Sequence, residues 1–389
     1  MKITDVQCHV LLAPNMRVDS TSSAQDSFLV IIETSEGVCG IGESDVNPWI
    51  AKACIEAPGT HTMGIGVRET LMGADPLAIE DLWHRLYTGT AMNGRRGAMI
   101  HALGAVEMAL WDIRGKVAGI PVYRLLGGTT RPSVIPYASL QPAGSGWESY
   151  RDSLCEWADR AKSLGFRAVK AEITMNGPYA HQGMSEPYEN HTKVLEAVRR
   201  TLGPDIALMV DVQYMWPDAD TALETIRDWA EFDLYFLETP LWIDRTDEYA
   251  KLRERAPMPI AAGEWQATRH EFRELIERGC IDVAQPDIGR VGGFIEARAI
   301  CEMARERELI VVPHCWKTAV SLTATAHLAF NTPHCAFIEY LPPALCSETL
   351  RRELATEGFR FNRGVIEPPT APGLGVELDQ DALRKYRVA

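Results

Sequence analysis

The chain has 389 residues, 46% of them hydrophobic and 24% charged, a composition ordinary for a soluble globular enzyme. A chain of this length is too long for one simple hydrophobic core, and it is long enough for a barrel of roughly 200–250 residues plus a second domain. Thirty-nine Lys and Arg residues against 53 Asp and Glu residues give a net charge of −14 without a basic run, which excludes the usual nucleic-acid-binding pattern and disfavours an anionic membrane surface.

The nine cysteines are scattered and none forms a C-x-x-C pair, so neither a disulfide scaffold nor a zinc site is predicted. Reduced thiols are typical of a reducing compartment, and we expect a cytoplasmic protein. The first ten residues, MKITDVQCHV, alternate as a strand does and lack the apolar core of an export signal. No apolar run in the sequence reaches the roughly 20 residues needed to cross a bilayer.

The residue pattern of the first part of the chain predicts an α+β domain over residues 1–125, which would cap the barrel described below. Strands are expected at 3–11 and 28–34, and a Gly- and Ser-rich turn at 35–44. Helices are expected at 75–86 and 98–117. Gly119 followed by Pro121 ends the last helix.

Six polar residues then follow short apolar runs at gaps of 27, 26, 23, 27 and 25 residues. They are Asp211, Glu238, Glu264, Asp287, His314 and Glu339. About 25 residues is the length of a strand and its helical crossover to the next parallel strand. With two earlier strands at 134–139 and 168–172, the period predicts a (β/α)₇₋₈ TIM-type barrel over 126–350, whose active site lies at the strand ends. Residues 351–389 are polar and rich in Pro and Gly, and we expect them to return to the first domain.

Three of these acids, Asp211, Glu238 and Glu264, end successive strands and should be neighbours around the barrel. Three converging carboxylates repel one another unless a cation lies among them. An all-oxygen set without His or Cys favours Mg²⁺. The alternative is that each acid caps the helix that follows it.

Asp287 and His314 end the next two strands, and a carboxylate beside an imidazole orients a general base. The alternative is a buried histidine satisfied by a backbone carbonyl. Lys170 and Glu172 point to the same side of the second strand. Lys170 either takes part in proton transfer or forms a salt bridge with an acid. Glu339 would donate a hydrogen bond to a substrate oxygen if neighbouring acids raise its pKa.

These residues lie in motifs that resemble the enolase superfamily, and within it the acid-sugar dehydratases and cycloisomerases of the mandelate racemase subgroup. The motifs are ALWDIRGK (109–116), PVYRLLGG (121–128), VKAE (169–172), VDVQ (210–213), FLETP (236–240), AAGE (261–264), QPDIGRVGG (285–293), VPH (312–314), IEY (338–340) and APGLG (371–375). The resemblance implies one Mg²⁺ held by Asp211, Glu238 and Glu264, and a His314–Asp287 dyad. It also implies that the first domain caps the barrel and supplies specificity.

Two positions depart from this resemblance. The subgroup usually has Lys-x-Lys at the end of the second strand, and Glu172 takes the second Lys position here. This loss of a base disfavours racemisation of a mandelate-like substrate. Gln213 stands where gluconate- and mannonate-type dehydratases often have a His, which disfavours those substrates.

We therefore expect a dehydratase acting on an aldonate or aldarate. His314 would remove the proton next to the carboxylate and return it to the leaving β-hydroxyl, giving a 2-keto-3-deoxy sugar acid. Lys170 and a divalent ion would stabilise the enediolate charge, as the resemblance implies, since a Lys or His base beside Mg²⁺ is the known pattern of this superfamily. Open alternatives are a cycloisomerase of a sugar lactone or anhydro-sugar acid, an epimerase using Glu172, and a metal-binding barrel without catalysis.

The small-molecule partner is expected to be a sugar acid, and the protein is expected to form a homo-oligomer, from a dimer to an octamer. Residues predicted to contact the substrate are Glu172, Gln213, Arg17, Asn47, Trp49 and Trp316, with Tyr179 and His181 in the loop after the second strand.

Overall fold

The structure, a computed structural model, describes residues 1–17, 22–129 and 131–389. An antiparallel sheet and five helices form its first part, the capping domain. The strands, paired in the order β1-β2-β3, are β1 Ile3–Leu12, β2 Asp26–Thr34 and β3 Cys39–Ser44. The helices are α1 Pro48–Glu56, α2 Val67–Leu71, α3 Ile79–Gly89, α4 Ala98–Ala118 and α5 Val122–Leu125.

Strand β3 corrects the prediction of a turn at 35–44. Gly40 and Gly42 lie on the side of the strand that packs against α4, where an added methyl group would overlap the carbonyl oxygens of Ala109 and Ala105. These glycines permit a close approach between strand and helix, a use that the sequence does not distinguish from turn chemistry. Helix α1 was not predicted, and α3 begins four residues later than expected.

Eight parallel strands form the barrel, in the order β10-β9-β8-β7-β6-β5-β4-β11. They are β4 Ile135–Leu140, β5 Ala168–Glu172, β6 Ala207–Asp211, β7 Leu234–Glu238, β8 Ile260–Ala262, β9 Val283–Ala284, β10 Ile310–Val311 and β11 Phe337–Tyr340. A parallel bridge between Val311 and Cys335 brings the two ends of the sheet together and nearly closes the ring. The predicted fold class is therefore confirmed, with eight strands.

Helices follow the strands around the outside of the barrel. They are α6 Trp147–Ser163, α7 Tyr188–Leu202, α8 Ala219–Ile226, α9 Thr246–Arg255, α10 Thr268–Glu277, α11 Ile288–Val291, α12 Phe294–Glu306 and α13 Ala319–Asn331. Short 3₁₀ turns are found at Ser23–Gln25, His181–Gly183 and Arg227–Phe232.

The inner face of the barrel changes from apolar to polar along most of its strands. Seven buried residues fill the interior: Tyr137, Ala168, Met209, Phe236, Ala261, Val283 and Val312. Two residues further along, the same face carries polar groups, as in Met209 and Asp211 or Phe236 and Glu238. Because side chains in a strand alternate with a period of two, a packed interior places the next inward residue at the barrel mouth.

The tail adds small elements that return to the capping domain. They are α14 Thr349–Glu353, β12 Ala355–Thr356, β13 Arg360–Asn362, β14 Val365–Glu367, β15 Glu377–Leu378 and α15 Gln380–Tyr386. The Val10 amide donates to the Ala389 carbonyl at 2.8 Å, and the Val388 amide donates to the Val10 carbonyl at 2.9 Å. Within the described ranges, no helix is both long and apolar enough to span a membrane.

Two buried carboxylates of the capping domain cap barrel helices. Glu43 on β3 accepts hydrogen bonds from the backbone amides of Thr318 and Ser321 at the start of α13, at 3.2 and 3.0 Å. Glu107 on α4 accepts from the amides of Phe294 and Ile295 at the start of α12, at 2.8 and 2.9 Å. A helix leaves its first amides without internal partners, so these acids satisfy donors that would otherwise be buried and unpaired.

We predict that Glu43→Gln lowers the free energy of unfolding by about 1–3 kcal/mol, because the amide nitrogen of Gln cannot accept from donors that are already in place. Urea unfolding followed by far-UV circular dichroism measures the loss. The matched control is Glu156→Gln on the exposed face of α6. Equal stabilities for the two variants would show that the Glu43 contacts contribute nothing.

Candidate active site

A cavity of about 180 Å³ opens where the barrel strands end beneath the capping domain. Eight predicted site residues line it: Lys170, Glu172, Asp211, Gln213, Glu264, His314, Trp316 and Glu339. Six residues that were not predicted also line it, together with Tyr179: Ser22, Ser23, Ser139, Tyr214, Trp265 and Arg290. Glu238 and Asp287 lie behind this wall, where each contacts a lining residue.

The strand register brings the predicted metal-binding acids side by side. Asp211 pairs with Glu172 on one neighbouring strand and with Glu238 on the other. Glu264 lies two residues beyond the end of β8. Asp211, Glu238 and Glu264 are 6%, 0% and 8% exposed, so none can rely on water to balance its charge.

Each of these carboxylates accepts a hydrogen bond from a residue that follows another strand, either the next strand or the one beyond it. The Thr239 hydroxyl donates to Asp211 Oδ1 at 2.7 Å, and the Tyr214 hydroxyl donates to Glu264 Oε1 at 2.8 Å. Glu238 accepts from Gln285 Nε2 at 2.5 Å.

These contacts turn the carboxylate oxygens towards protein donors. Across the described part of the chain, no three Asp, Glu, His or Cys side chains are arranged to share one metal ion. The donor set nevertheless fits a hard cation, because it offers three adjacent carboxylates from consecutive strands.

Lys170 lies between two buried acids. Its Nζ is 2.8 Å from Glu238 Oε1 and 3.1 Å from Glu339 Oε1. Burial and the nearby Asp211 raise the pKa of Glu238 although Lys170 opposes them. For Glu339 burial also acts upwards, but Lys170 and His314 outweigh it and hold the pKa low. Glu339 was predicted to donate a hydrogen bond on condition that neighbouring acids raise its pKa, and this condition is not met, because Lys170 and His314 favour the carboxylate form.

Asp287 and His314, which were predicted to act as a dyad, are in hydrogen-bond contact. The Asp287 Oδ2 atom lies 2.6 Å from His314 Nδ1, and Asp287 Oδ1 accepts from the Gly289 amide at 2.8 Å. Asp287 therefore caps the short helix α11 and orients the imidazole at the same time. His314 Nε2 faces Glu264 Oε2 at 3.3 Å.

The surrounding acids set the charge of His314. Burial lowers its pKa, but Glu339, the hydrogen bond to Asp287 and Glu264 together raise it to about 9. A cation bound at Glu264 would oppose this rise, because it would cancel one of these negative charges.

Arg290 connects this wall to the capping domain. It contacts Glu264 Oε2 at 3.3 Å through Nη1, and its Nη2 donates to the buried Asp45 of the capping domain. Asp45 is also 3.1 Å from Lys317 Nζ. Burial raises the pKa of Asp45, but the two cations, Arg290 foremost, hold it well below the usual range.

The backbone is strained directly after strands β6 and β7. Gln213, Tyr214 and Thr239 have φ values of 43°, 63° and 47°, in the left-handed region that non-glycine residues rarely adopt. Such conformations cost about 1–3 kcal/mol each and are held where the surrounding structure requires them. Here they aim the Tyr214 and Thr239 hydroxyls at the carboxylates of Glu264 and Asp211.

Glu172 lies in the cavity wall at the usual second Lys position. Its Oε1 accepts from the Thr174 hydroxyl at 3.2 Å. Burial, with the charge of the adjacent Asp211, raises its pKa to about 8. Without a bound cation, Glu172 therefore holds a proton more firmly than an ordinary glutamic acid.

Three residues predicted to contact substrate are not brought into the cavity wall. Asn47 caps α1, with Oδ1 accepting from the amides of Trp49 and Ile50. Trp49 is 47% exposed on that helix. Arg17 lies in the capping domain and places its backbone amide 2.6 Å from Gln25 Oε1. His181 contacts the Gly144 carbonyl at 3.1 Å and is also absent from the wall.

The lining residues that were not predicted had local signals. Tyr214 and Trp265 follow a predicted ligand within three residues, and Arg290 lies in the QPDIGRVGG motif. These three residues were not predicted, because the prediction rests on the last residue of each strand and their side chains reach the cavity from the segments that follow.

Comparison with known proteins places the site in context. Residues 2–127 match the family described as mandelate racemase/muconate lactonizing enzyme, N-terminal domain, and residues 153–382 match the family described as enolase C-terminal domain-like. The D-galactarolactone cycloisomerase of Agrobacterium fabrum is 31% identical, and the alignment covers 100% of this chain and 99% of that protein.

Two further proteins are similar over nearly their whole length. The arabinonate dehydratase of Saccharolobus solfataricus is 31% identical over 92% of this chain and 89% of its own. The crystal structure of a racemase from Streptomyces coelicolor A3(2) with bound magnesium superimposes with a TM-score of 0.83 at 26% identity, covering 99% of this chain and 100% of that one.

Proposed function

We propose that this chain, which belongs to the mandelate racemase/muconate lactonizing enzyme family of the enolase superfamily, is a Mg²⁺-dependent acid-sugar dehydratase. It would be a lyase that removes water from a sugar acid to give a 2-keto-3-deoxy acid. The observation that carries the proposal is the His314–Asp287 pair, whose imidazole lines the same small cavity as Lys170, with Glu339 between the two. A proton acceptor and a cation would then act on one small substrate.

The chemical problem is the weak acidity of a carbon next to a carboxylate. His314 Nε2 is the ring nitrogen left open by the Asp287 bond, so it is the atom that would accept the α-proton. The Lys170 ammonium would lie against the substrate carboxylate, where charge builds up as the proton leaves.

The same imidazolium would then give its proton to the departing β-hydroxyl, so one residue serves both halves of a syn elimination. The C–O bond electrons leave with the hydroxyl as water, and the enol that remains becomes the ketone. Glu339, as a carboxylate, would hold Lys170 and the imidazolium in place and would not donate a proton itself.

Asp211, Glu238 and Glu264 would hold the Mg²⁺ ion. When bound, the ion supplies positive charge beside the substrate carboxylate. The raised pKa values of Asp211 and Glu238 support this assignment, because they report buried negative charge that the protein's own cations do not balance. Thr239 and Tyr214 would fix the ligand oxygens by hydrogen bonds.

A cycloisomerase is the second candidate. The relative that is 31% identical over this whole chain is named a D-galactarolactone cycloisomerase. The same His314 and Lys170 would serve that reaction, with a ring oxygen as the leaving group in place of a hydroxyl. Release of a 2-keto-3-deoxy acid from an open-chain sugar acid, with a water lost, separates the two.

The metal assignment predicts that EDTA-treated protein is inactive and that Mg²⁺ restores activity. Glu264→Gln should weaken Mg²⁺ binding at least about tenfold, because a carboxylate ligand is lost. Isothermal titration with Mg²⁺ measures the affinity, and Glu254→Gln on the exposed face of α9 is the control. Full turnover in excess EDTA would refute the assignment.

The base assignment predicts that His314→Asn loses both exchange of the α-proton with solvent deuterium and formation of keto acid. The loss should be at least about 10²–10⁴-fold, the range for a proton-transfer group. Mg²⁺ affinity should remain, because the ring is not a proposed ligand. His270→Asn on the surface is the matched control. Exchange at the parental rate in His314→Asn would assign the base to another residue.

The one-base mechanism predicts that Glu172→Gln changes KM or substrate preference more than kcat. If Glu172 instead acts as an acid or base on the opposite face, kcat should fall about 10²–10⁴-fold. Steady-state kinetics at saturating Mg²⁺ distinguishes the two. A collapse of kcat with an unchanged KM would contradict the one-base mechanism.

A further inference from the structure

The described residues that line the cavity fall into a charged group and an uncharged group, which we call the charged half and the uncharged half. The charged half is formed by residues at the strand ends, such as Lys170, Asp211 and His314. The uncharged half comes from the capping domain and the loops beyond the strands. Its members are Ser22, Ser23, Tyr179, Trp265 and Trp316.

Every cation that lines the cavity is already paired with an acid of the protein. Lys170 contacts Glu238 and Glu339, at 2.8 and 3.1 Å. Arg290 is held by Asp45 and Glu264.

Arg351 and Lys317 lie close to members of the uncharged half but do not line the cavity. The guanidinium carbon of Arg351 lies 4.7 Å from the centroid of the Trp316 ring. Lys317 is 2% exposed, and its Nζ lies 2.6 Å from Asp26 Oδ1, 3.1 Å from Asp45 Oδ1 and 2.5 Å from the Ser23 carbonyl. It therefore supports the Ser23 segment and does not point into the cavity as a free charge.

The uncharged half is suited to hydroxyl groups and to C–H surfaces. The Tyr179 and Trp265 rings pack edge to face with centroids 5.6 Å apart, and they present an apolar wall. The Trp316 indole nitrogen donates to the Ser22 hydroxyl at 3.1 Å, so a ring and a hydroxyl group also lie side by side here. A neutral polyol end matches both, because its carbons pack on rings and its hydroxyls bond to serines.

A substrate carboxylate placed against the uncharged half would find no such complementary groups. The lining already carries the acids Glu172, Asp211, Glu264 and Glu339, and a first substrate carboxylate would draw on Lys170 and the bound cation. A second carboxylate would lose its water without gaining a partner, and unpaired buried charge is strongly unfavourable.

We propose that the substrate carries a single carboxylate, and that its remote end is neutral, hydroxylated and packed against Ser23, Tyr179 and Trp265. The substrate class is thus an aldonate and not an aldarate. This inference rests on the proposed function, because it takes the carboxylate-binding end to be the Lys170 side.

Binding to the Mg²⁺-loaded His314→Asn protein tests the inference without turnover. The probes are pairs of sugar acids that share every stereocentre and differ only in the terminal group, CH₂OH or COO⁻. For the pair that binds best, the aldonate should bind at least about tenfold tighter by titration calorimetry. An aldarate that binds equally well or better, or no binding of any aldonate, would overturn the inference.

Wild-type assays keep this result apart from the proposed function. If an aldonate binds selectively but wild-type protein forms no 2-keto acid from it, the dehydratase assignment fails and the substrate class stands. Arg17→Ala should leave the aldonate preference unchanged. If wild type prefers aldarates and Arg17→Ala abolishes that preference, Arg17 supplies the missing cation and the inference is wrong.

A gain-of-charge variant tests the position of the remote end. Tyr179→Arg adds a cation to the uncharged half and should raise the affinity for the aldarate relative to the aldonate at least about fivefold, with Tyr179→Leu as the control for loss of the ring. The gain should shrink in high salt, because the new pair is partly exposed. Equal ratios in the two variants would refute contact between Tyr179 and the remote end.

Discussion

The site depends on an excess of buried negative charge at the mouth of the barrel. Lys170 lies between two acids, and its single positive charge can balance only one of them. The negative charges of Asp211 and Glu264 also repel each other. Arg290 balances part of the remainder from the side of the capping domain. A divalent cation would complete this balance. It would also explain how a chain with a net charge of −14 attracts an anionic substrate, because the local sign is then reversed.

Positioning at this site comes from strained backbone and not from packing alone. The left-handed residues after β6 and β7 turn the chain, and Tyr214 and Thr239 donate hydrogen bonds to Glu264 and Asp211. Ring contacts brace Tyr214, whose centroid lies 4.5 Å from that of Trp265. If these carboxylates hold a cation as proposed, oxygens fixed in this way would need little reorganisation, which would favour both affinity and selectivity for one geometry.

Much of the fold, and the grouping of the strand-end residues in one cavity, could be predicted because both follow from periodicity. The 25-residue spacing predicts the barrel, and the inward alternation of a strand takes Met209 to Asp211 and Phe236 to Glu238. Asp287 and His314 were also predicted to meet, although each lies three residues beyond a two-residue strand.

The remainder depends on contacts that have no sequence period. Glycine residues such as those of β3 are typical of turns. Here they form a strand that packs closely against α4, a contact that the sequence does not reveal. The ionisation of Glu339 depends on which charges surround it in space, and Lys170 and His314 are 169 and 25 residues away from it in the sequence. Asn47 and Trp49 have residue types that suit sugars, but the first caps a helix and the second lies outside the cavity wall.

The caps that Glu43 and Glu107 provide have a consequence for how such proteins diversify. The domain that shapes the outer cavity also satisfies the first amides of two barrel helices. A capping domain exchanged between relatives must therefore bring both carboxylates in register, or the recipient barrel would bury helix ends without partners. New substrate preference is more readily gained by changing loop residues such as Tyr179 than by recombining whole domains. Chimaeras in this family should accordingly be cut within loops, with the β3–α4 unit left together with the barrel it caps.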